Sequence, residues 1–184
     1  MVQLKLHQKT PSVSHLSATK NIFCKGVVAM LTYPKKFMLC SGTGVADQRL
    51  VAFDNALISA NIANYNLLKV SSILPIGCVR TDKLDKKLGS ALLVAYASIS
   101  SNELGRTLSS AVAAGIPDNE SDVGVIMEFS DYCDAKTAEA TVINMVKEAM
   151  KNHNIPCKDI ISTAEEATVT DSRYVSLISA LAMW

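Results

Sequence analysis

Two adjacent serines, Ser71 and Ser72, stand in an apolar, strand-like run that ends at Pro75. The hydroxyl of Ser72 is placed to attack the backbone carbonyl of Ser71, which converts the amide into an ester. β-Elimination of that ester releases a chain that ends at residue 71, and the dehydroalanine left at position 72 hydrolyses to a pyruvoyl group. The alternative is that the serines only end a buried strand. The dipeptide alone favours this alternative, because such pairs are common.

The residues around the serine pair belong to three blocks in a defined order. Residues 52–75 read AFDNALISANIANYNLLKVSSILP, residues 113–117 read AAGIP, and residues 124–130 read GVIMEFS. Together these blocks resemble the pyruvoyl-dependent arginine decarboxylases, and the resemblance extends from about residue 37 to the terminal Trp184. Several blocks at compatible spacing are far more specific than one short motif.

The resemblance implies a decarboxylase that needs no added cofactor. It implies that the chain cleaves itself into residues 1–71 and 72–184, and that the pyruvoyl group made from Ser72 forms a Schiff base with L-arginine, which becomes agmatine and CO2. Neither pyridoxal phosphate nor a metal ion is expected. Two alternatives stay open: a pyruvoyl-dependent decarboxylase of another amino acid, such as histidine, and an unprocessed, inactive structural homologue.

Glu128 is the candidate acid that returns a proton to the substrate. Its neighbours in residues 124–129 are apolar, and such surroundings disfavour a carboxylate and raise its pKa toward the range useful for proton donation. Strand alternation places Ile126 and Glu128 on one face, so an outward-facing glutamate is an equal alternative. The resemblance favours catalysis, because this position matches the acid of the family.

Three further residues are assigned to the site by the resemblance. Asp54 matches the residue that recognises the guanidinium of the substrate, which a carboxylate binds through two parallel hydrogen bonds. Leu57 is assigned to the same substrate site, and its spacing from Phe53 also suits the buried face of a helix. Asn66 matches a residue whose amide assists self-cleavage by polarising the Ser71 carbonyl. Without the resemblance, Asp54 would be interpreted as a helix N-cap and Asn66 as an edge-strand residue.

Charge and composition limit the classes of partner. The 184 residues include 18 basic and 17 acidic side chains, and the net charge of +1 provides no strong field for nucleic acid or a lipid surface. Hydrophobic residues make up 49% and charged ones only 19%, which favours an oligomer interface in addition to a core. No apolar run approaches the ~18 residues of a membrane helix. The five scattered cysteines and three histidines predict no metal site and a reduced, cytoplasmic protein.

Hydrophobic periodicity predicts a single α+β domain. The glycines of residues 41–44 predict a turn, and helices are expected at residues 53–61, opened by Asp54, after Asn102, and from Asp134 to Lys151. The last two strands are expected to form a hairpin around residues 170–172. The predicted strands are residues 37–40, 66–74, 91–99, 123–129, 160–169 and 174–183.

The resemblance refines the expected fold and assembly. It implies an αββα sandwich that assembles as a homotrimer, with active sites between subunits. Residues 1–33 carry lysines but no acidic side chain, and the resemblance says nothing about them. They are expected to be a flexible N-terminal extension of a decarboxylase domain formed by residues 34–184.

Overall fold

The computed structural model describes residues 33–184, so almost all of the expected N-terminal extension, residues 1–33, lies outside the described range. No helix in this part of the chain is long and apolar enough to cross a membrane. The helices are α1 (Arg49–Ser59) and α2 (Ala135–Asn152). The strands are β1 (Lys36–Ala46), β2 (Asn66–Lys69), β3 (Ile73–Leu74), β4 (Val79–Arg80), β5 (Ala91–Ser101), β6 (Thr107–Pro117), β7 (Gly124–Asp131), β8 (Cys157–Thr168) and β9 (Tyr174–Met183).

The strands form two sheets that pack face to face. The larger sheet has the order β2-β5-β9-β1-β4, and the smaller sheet has the order β3-β7-β6-β8. Helix α1 packs mainly on β1 and β9 of the larger sheet, whereas α2 packs on β6, β7 and β8 of the smaller one. The layers therefore run helix, sheet, sheet, helix, which confirms the predicted α+β class.

A row of polar side chains crosses the otherwise apolar space between the sheets. The hydroxyls of Ser110 and Ser179 lie 2.9 Å apart and belong to opposite sheets. The carboxylate of Glu165 accepts hydrogen bonds from Ser41 at 2.9 Å and from Thr43 at 3.0 Å. Because buried polar groups are costly unless they are paired, these bonds fix the position of one sheet over the other.

Two glycines of β1 allow helix α1 to lie directly on the strand. A Cβ atom on Gly42 would lie 2.4 Å from the carbonyl oxygen of Ala56, and one on Gly44 would lie 2.2 Å from that of Ala52. Both distances are far shorter than van der Waals contact, so a side chain there would displace the helix. The turn predicted at residues 41–44 is therefore wrong, because β1 continues to Ala46.

Strand β6 occupies the place where a helix was predicted after Asn102. The strand lies between β7 and β8, with α2 on one face and the larger sheet on the other. Residues 108–115 are all buried, so the strand does not alternate between apolar and polar residues. Its several alanines are also typical of a helix, which explains the wrong prediction. The hairpin predicted around residues 170–172 is also wrong, because β8 and β9 belong to different sheets.

Candidate active site

Residues 70–72 carry the chain from one sheet to the other. The backbone N–H of Val70 donates to the carbonyl of Val94 in the larger sheet at 3.1 Å. Two residues later, the N–H of Ile126 in β7 donates to the carbonyl of Ser72 at 2.8 Å. The Ser71–Ser72 peptide bond therefore lies at the crossing. The single strand predicted at residues 66–74 is corrected to two short strands, β2 and β3, in different sheets.

The crossing lies at the edge of both sheets. Strand β2 is an edge strand of the larger sheet, and β3 is an edge strand of the smaller one. Ser71 is exposed, and Ser72 is half-buried. A rearrangement of this peptide bond therefore breaks no central strand, and the carbonyl of Ser72 stays anchored to β7.

Ser72 and Glu128 belong to one face of the smaller sheet. Ile73 pairs with Val125 in antiparallel register, so Ser72 continues that register opposite Ile126. Residues that are opposed across an antiparallel pair share a face, and Glu128 lies two positions beyond Ile126 on the same face. Ser72 and Glu128 are therefore diagonal neighbours, at a spacing of about 7–8 Å in an antiparallel pair.

Glu128 faces the space between the sheets. Its cross-strand partner Val112 and its neighbour Ile126 both belong to the core between the sheets. The alternate residues Val125 and Met127 pack against α2 instead. Glu128 is half-buried, and the loss of hydration raises its pKa above the ordinary value, while the charge of Lys69 lowers it in part. This environment suits a proton donor.

Lys69 is a neighbour of the site that the sequence analysis did not single out. Its ammonium lies 4.5 Å from the ring centroid of Tyr96, and that ring lies 6.5 Å from the ring of Phe53. A signal was available in the sequence, because Lys69 is the charged residue of an apolar strand and precedes the serine pair by two positions. Its link to Tyr96 depends on the pairing of β2 with β5, which local sequence does not reveal.

Asn66 lies at the opposite end of β2 from the serine pair. Its side-chain amide donates to the carbonyl of Gly89 at 2.7 Å, and its backbone N–H donates to the carbonyl of Ser90 at 3.0 Å. A strand rises about 3.3 Å per residue, so Asn66 is on the order of 13 Å or more from the crossing. Within one chain, the structure therefore does not bring Asn66 to the Ser71 carbonyl.

Helix α1 carries the two residues assigned to substrate binding. The helix begins at Arg49 with Gln48 at its N-cap position, so Asp54 lies within the helix and the prediction that it opens the helix is wrong. Asp54 is exposed, whereas Leu57 is half-buried against the core of the larger sheet. Local sequence did not indicate the four residues of helix, 49–52, that precede the predicted start at Phe53.

The outer face of α1 is apolar around Asp54. Leu50, Val51 and Ile58 are 78%, 50% and 57% exposed. These residues stand four before, three before and four after Asp54, which places them around it on the helix surface. An exposed apolar patch with one carboxylate at its centre is typical of a surface that contacts another molecule.

The chemistry available at this site is that of hydroxyl, carboxylate and ammonium groups. In residues 33–184, no group of three or more histidine, cysteine, aspartate or glutamate side chains is arranged to hold a metal ion. Ser72 is half-buried at the crossing, and Glu128, whose pKa is raised by burial, is its diagonal neighbour on the same face of the smaller sheet. The arrangement fits a backbone rearrangement at Ser72 followed by proton transfer from Glu128.

Comparison with known proteins leads to the same chemistry. Residues 36–184 match the family described as pyruvoyl-dependent arginine decarboxylase. A protein of that name from Thermococcus sibiricus is 38% identical over 154 residues, which cover 83% of this chain and 96% of the relative. One from Pyrococcus abyssi is 37% identical over 76% of this chain and 89% of its own length. One from Methanocaldococcus jannaschii is 33% identical over 85% of this chain and 93% of its own length. The chain therefore belongs to the family of pyruvoyl-dependent arginine decarboxylases.

Proposed function

We propose that this chain is a self-processing decarboxylase that converts L-arginine to agmatine and CO2 with a pyruvoyl group made from Ser72. The observation that carries the proposal is the position of the Ser71–Ser72 peptide bond. It lies at the crossing between the sheets, and the carbonyl of Ser72 is held at 2.8 Å by the strand that carries Glu128. Membership of the family supports the same activity.

Self-cleavage uses only atoms of the chain and water. The Ser72 hydroxyl attacks the Ser71 carbonyl, and the nitrogen of Ser72 leaves that carbonyl as the ester forms. Loss of the α-proton of residue 72 expels the Ser71 carboxylate and leaves dehydroalanine, which water hydrolyses to a pyruvoyl group with release of ammonia. The hydrogen bond from Ile126 to the carbonyl of residue 72 is compatible with every stage, since that carbonyl does not react.

The remaining residues act on the substrate. A pyruvoyl group supplies the carbonyl electrophile that takes up the electron pair left by the departing CO2. Glu128 then delivers a proton to the α-carbon, and partial burial keeps that proton on the carboxyl group at higher pH than in water. Asp54 binds the guanidinium, and Leu57 lies one turn further along the same helix. The residue roles are part of this proposal.

We further propose that the enzyme is a cytoplasmic homotrimer with active sites between subunits. The exposed apolar patch of α1 supports such an interface, because contact with another copy would bury Leu50, Val51 and Ile58. Asp54 and Asn66 would then serve the crossing of a neighbouring copy. This arrangement accounts for the distance between Asn66 and the crossing within one chain.

Cleavage and activity together test the proposed function. Wild type, Ser72→Ala and Ser71→Ala are compared by intact mass spectrometry and by release of CO2 from carboxyl-labelled arginine and histidine. We expect wild type to give residues 1–71 and a pyruvoyl-blocked 72–184, and Ser72→Ala to stay intact and inactive. Ser71→Ala is the matched control, because it keeps both the attacked carbonyl and the attacking hydroxyl, and it should still be cleaved.

Each other outcome has a defined meaning. An uncleaved wild type that releases no CO2 from arginine would make the chain an unprocessed homologue and refute the proposal. Release of CO2 from histidine alone would correct the substrate and leave the chemistry intact. Cleavage and activity in Ser72→Ala would assign self-processing to another residue.

A further inference from the structure

The Ser71–Ser72 peptide bond lies between two points at which the chain is held. On one side, the carbonyl of Ser72 accepts a hydrogen bond from the N–H of Ile126 in β7 at 2.8 Å. On the other side, the N–H of Val70 donates to the carbonyl of Val94 in β5 at 3.1 Å, and the Val70 side chain packs between the sheets. Ser71 itself is exposed. The position of the Ser71 carbonyl is therefore set by the residues that flank it.

The point before the serine pair lies at the end of a short strand. Strand β2 has only four residues and is the edge strand of the larger sheet. Its last residue, Lys69, is paired with Val94, whereas β5 continues to Ser101 without a strand beside it on this edge. The end of a short edge strand opens easily, because few backbone hydrogen bonds hold it. An additional contact at Lys69 therefore bears on how firmly the crossing is held.

Lys69 makes such a contact on the face of the larger sheet that carries α1. Its side chain shares that face with Tyr96, which lies two positions beyond Val94 on β5. The Lys69 ammonium lies 4.5 Å from the centroid of the Tyr96 ring, within the ~6 Å at which a cation is attracted to an aromatic face. The Tyr96 ring packs against the core under α1 and lies 6.5 Å from the ring of Phe53. The Lys69 side chain therefore holds β2 to β5 beyond the last pair of the two strands.

An exposed lysine on an edge strand also has a simpler interpretation. Charged side chains on such strands prevent pairing with other chains, and this role requires exposure but no partner. Lys158 fits that role, because it is exposed on β8, an edge strand of the smaller sheet. In residues 33–184, the cations that lie over aromatic rings belong to Lys35, Lys69 and Arg106. The simpler role therefore leaves the contact between Lys69 and Tyr96 unexplained.

We propose that Lys69 is a positioning residue for self-cleavage: the Tyr96 ring holds its ammonium, which fixes the end of β2 and keeps the Ser71 carbonyl within reach of the Ser72 hydroxyl. The inference rests on the proposed function, because it takes the Ser71–Ser72 bond as the one that is cleaved. Displacement of reacting atoms by about 1 Å can slow a reaction by about 10²-fold, so a contact two residues away is close enough to matter. Arginine at position 69 would keep the charge and the stacking on Tyr96, whereas methionine would keep only an apolar stem.

The rate of self-cleavage tests the proposal. Labelled chains are made by cell-free translation, synthesis is stopped, and conversion of the full-length chain into two fragments is followed on denaturing gels. We expect Lys69→Met and Tyr96→Leu to slow the conversion about five- to tenfold. Lys69→Arg and Tyr96→Phe, which keep the cation and the ring, should stay near wild type. Lys158→Met is the matched control and should change nothing. Normal cleavage in Lys69→Met, or equally slow cleavage in Lys69→Arg, would overturn the inference.

Hydrogen exchange tests the contact without any need for cleavage. In the uncleaved Ser72→Ala background, exchange of the backbone N–H groups of Val70 and Ile126 is measured by NMR. We expect Lys69→Met to speed exchange at Val70 and to leave Ile126 unchanged, because these two amides are bonded on opposite sides of the crossing. Equal acceleration at both amides would mean that the substitution loosens the whole fold, and no change at Val70 would mean that Lys69 does not hold the strand. Either result would overturn the inference.

The two experiments also separate the inference from the proposed function. If wild type and Lys69→Met are cleaved at the same rate, the proposed function stands and the inference fails. If wild type is never cleaved, the proposed function fails, and a role of Lys69 in cleavage fails with it.

Discussion

At the scale of single residues, the partial burial that suits Glu128 to its proposed role as an acid also affects the stability of the fold. Burial disfavours its carboxylate, so its pKa is higher in the folded protein than the ordinary value of 4.5. The folded state therefore favours the protonated form. The stability linked to this preference is complete below the unfolded pKa and is lost as pH rises through the folded-state value.

We predict that Glu128→Gln stabilises the protein at neutral pH while it removes most activity. Glutamine has nearly the same volume but no charge to desolvate, so Tm should rise at pH 7, and the difference should shrink toward pH 4. Turnover of arginine should fall by about 10²–10⁴. Calorimetry at both pH values and CO2 release measure the two effects. Glu148→Gln on the exposed side of α2 is the control, and a fully active Glu128→Gln would remove Glu128 from the mechanism.

Asp54→Asn should weaken arginine binding without an effect on cleavage. The amide keeps the shape of the carboxylate but removes the charge that we propose binds the guanidinium, so KM should rise more than tenfold, as expected for loss of a charge-assisted pair. Self-cleavage should proceed normally, because the serine pair is untouched. Steady-state kinetics and a denaturing gel give both results, with the exposed loop variant Asp82→Asn as control. Unchanged kinetics in cleaved Asp54→Asn would exclude a role in recognition.

At the scale of elements, the local sequence predicts a helix or strand correctly where the residues that determine it lie within or next to that element. Helix α2 begins after Asp134, whose side chain accepts a hydrogen bond from the N–H of Thr137 at 2.7 Å, as an N-cap residue should. The crossing at residues 70–72 could not be predicted in the same way. No glycine or proline interrupts residues 66–74, and the division into two strands depends on two partners distant in sequence, Val94 and Ile126. Likewise, the glycines of β1 indicated a turn. Their actual role is to allow α1 to pack on the strand, and a pattern read from neighbouring residues does not reveal that contact.

Gly44→Ala tests the contact between β1 and α1. The new Cβ would meet the Ala52 oxygen at 2.2 Å and the Ala56 nitrogen at 2.3 Å, and both are backbone atoms that move only with the helix. We expect a loss of about 1–3 kcal/mol in the free energy of unfolding, or more. Because α1 carries Asp54, KM for arginine should rise more than kcat falls. Denaturant unfolding and kinetics measure these changes, and Val45→Ala at the adjacent exposed position should change little. A Gly44→Ala protein of normal stability would contradict the close contact.

At the scale of the whole molecule, the proposed cut leaves two interleaved chains. Residues 1–71 contribute β1, α1 and β2, and residues 72–184 contribute the other elements of the described part. Strand β1 lies between β9 and β4 of the larger fragment, and β2 pairs with β5, so the larger sheet needs strands from both pieces. The fragments should stay together in native buffer, although no peptide bond joins them.

We predict that processed enzyme and uncleaved Ser72→Ala refold with different dependence on dilution. In Ser72→Ala all strands belong to one chain, so the first recovery of β-sheet signal should follow a rate independent of concentration. The processed enzyme must first bring two chains together, so the same phase should slow on dilution. Stopped-flow circular dichroism after dilution from guanidinium measures both. Equal, concentration-independent rates would mean that one fragment folds without the other.

The proposed cleavage at the crossing between the sheets would therefore change refolding from a first-order to a second-order reaction. If the proposed cut occurs, the enzyme acquires its structure as a continuous precursor, and the cut then removes the covalent connection that brought β1 to its place between β9 and β4. After unfolding, the two fragments of a processed molecule would have to find each other again by diffusion, at the low concentration of one enzyme in the cell. The working lifetime of the enzyme is then set by how slowly it unfolds, because return to the folded state is no longer assured by the chain itself.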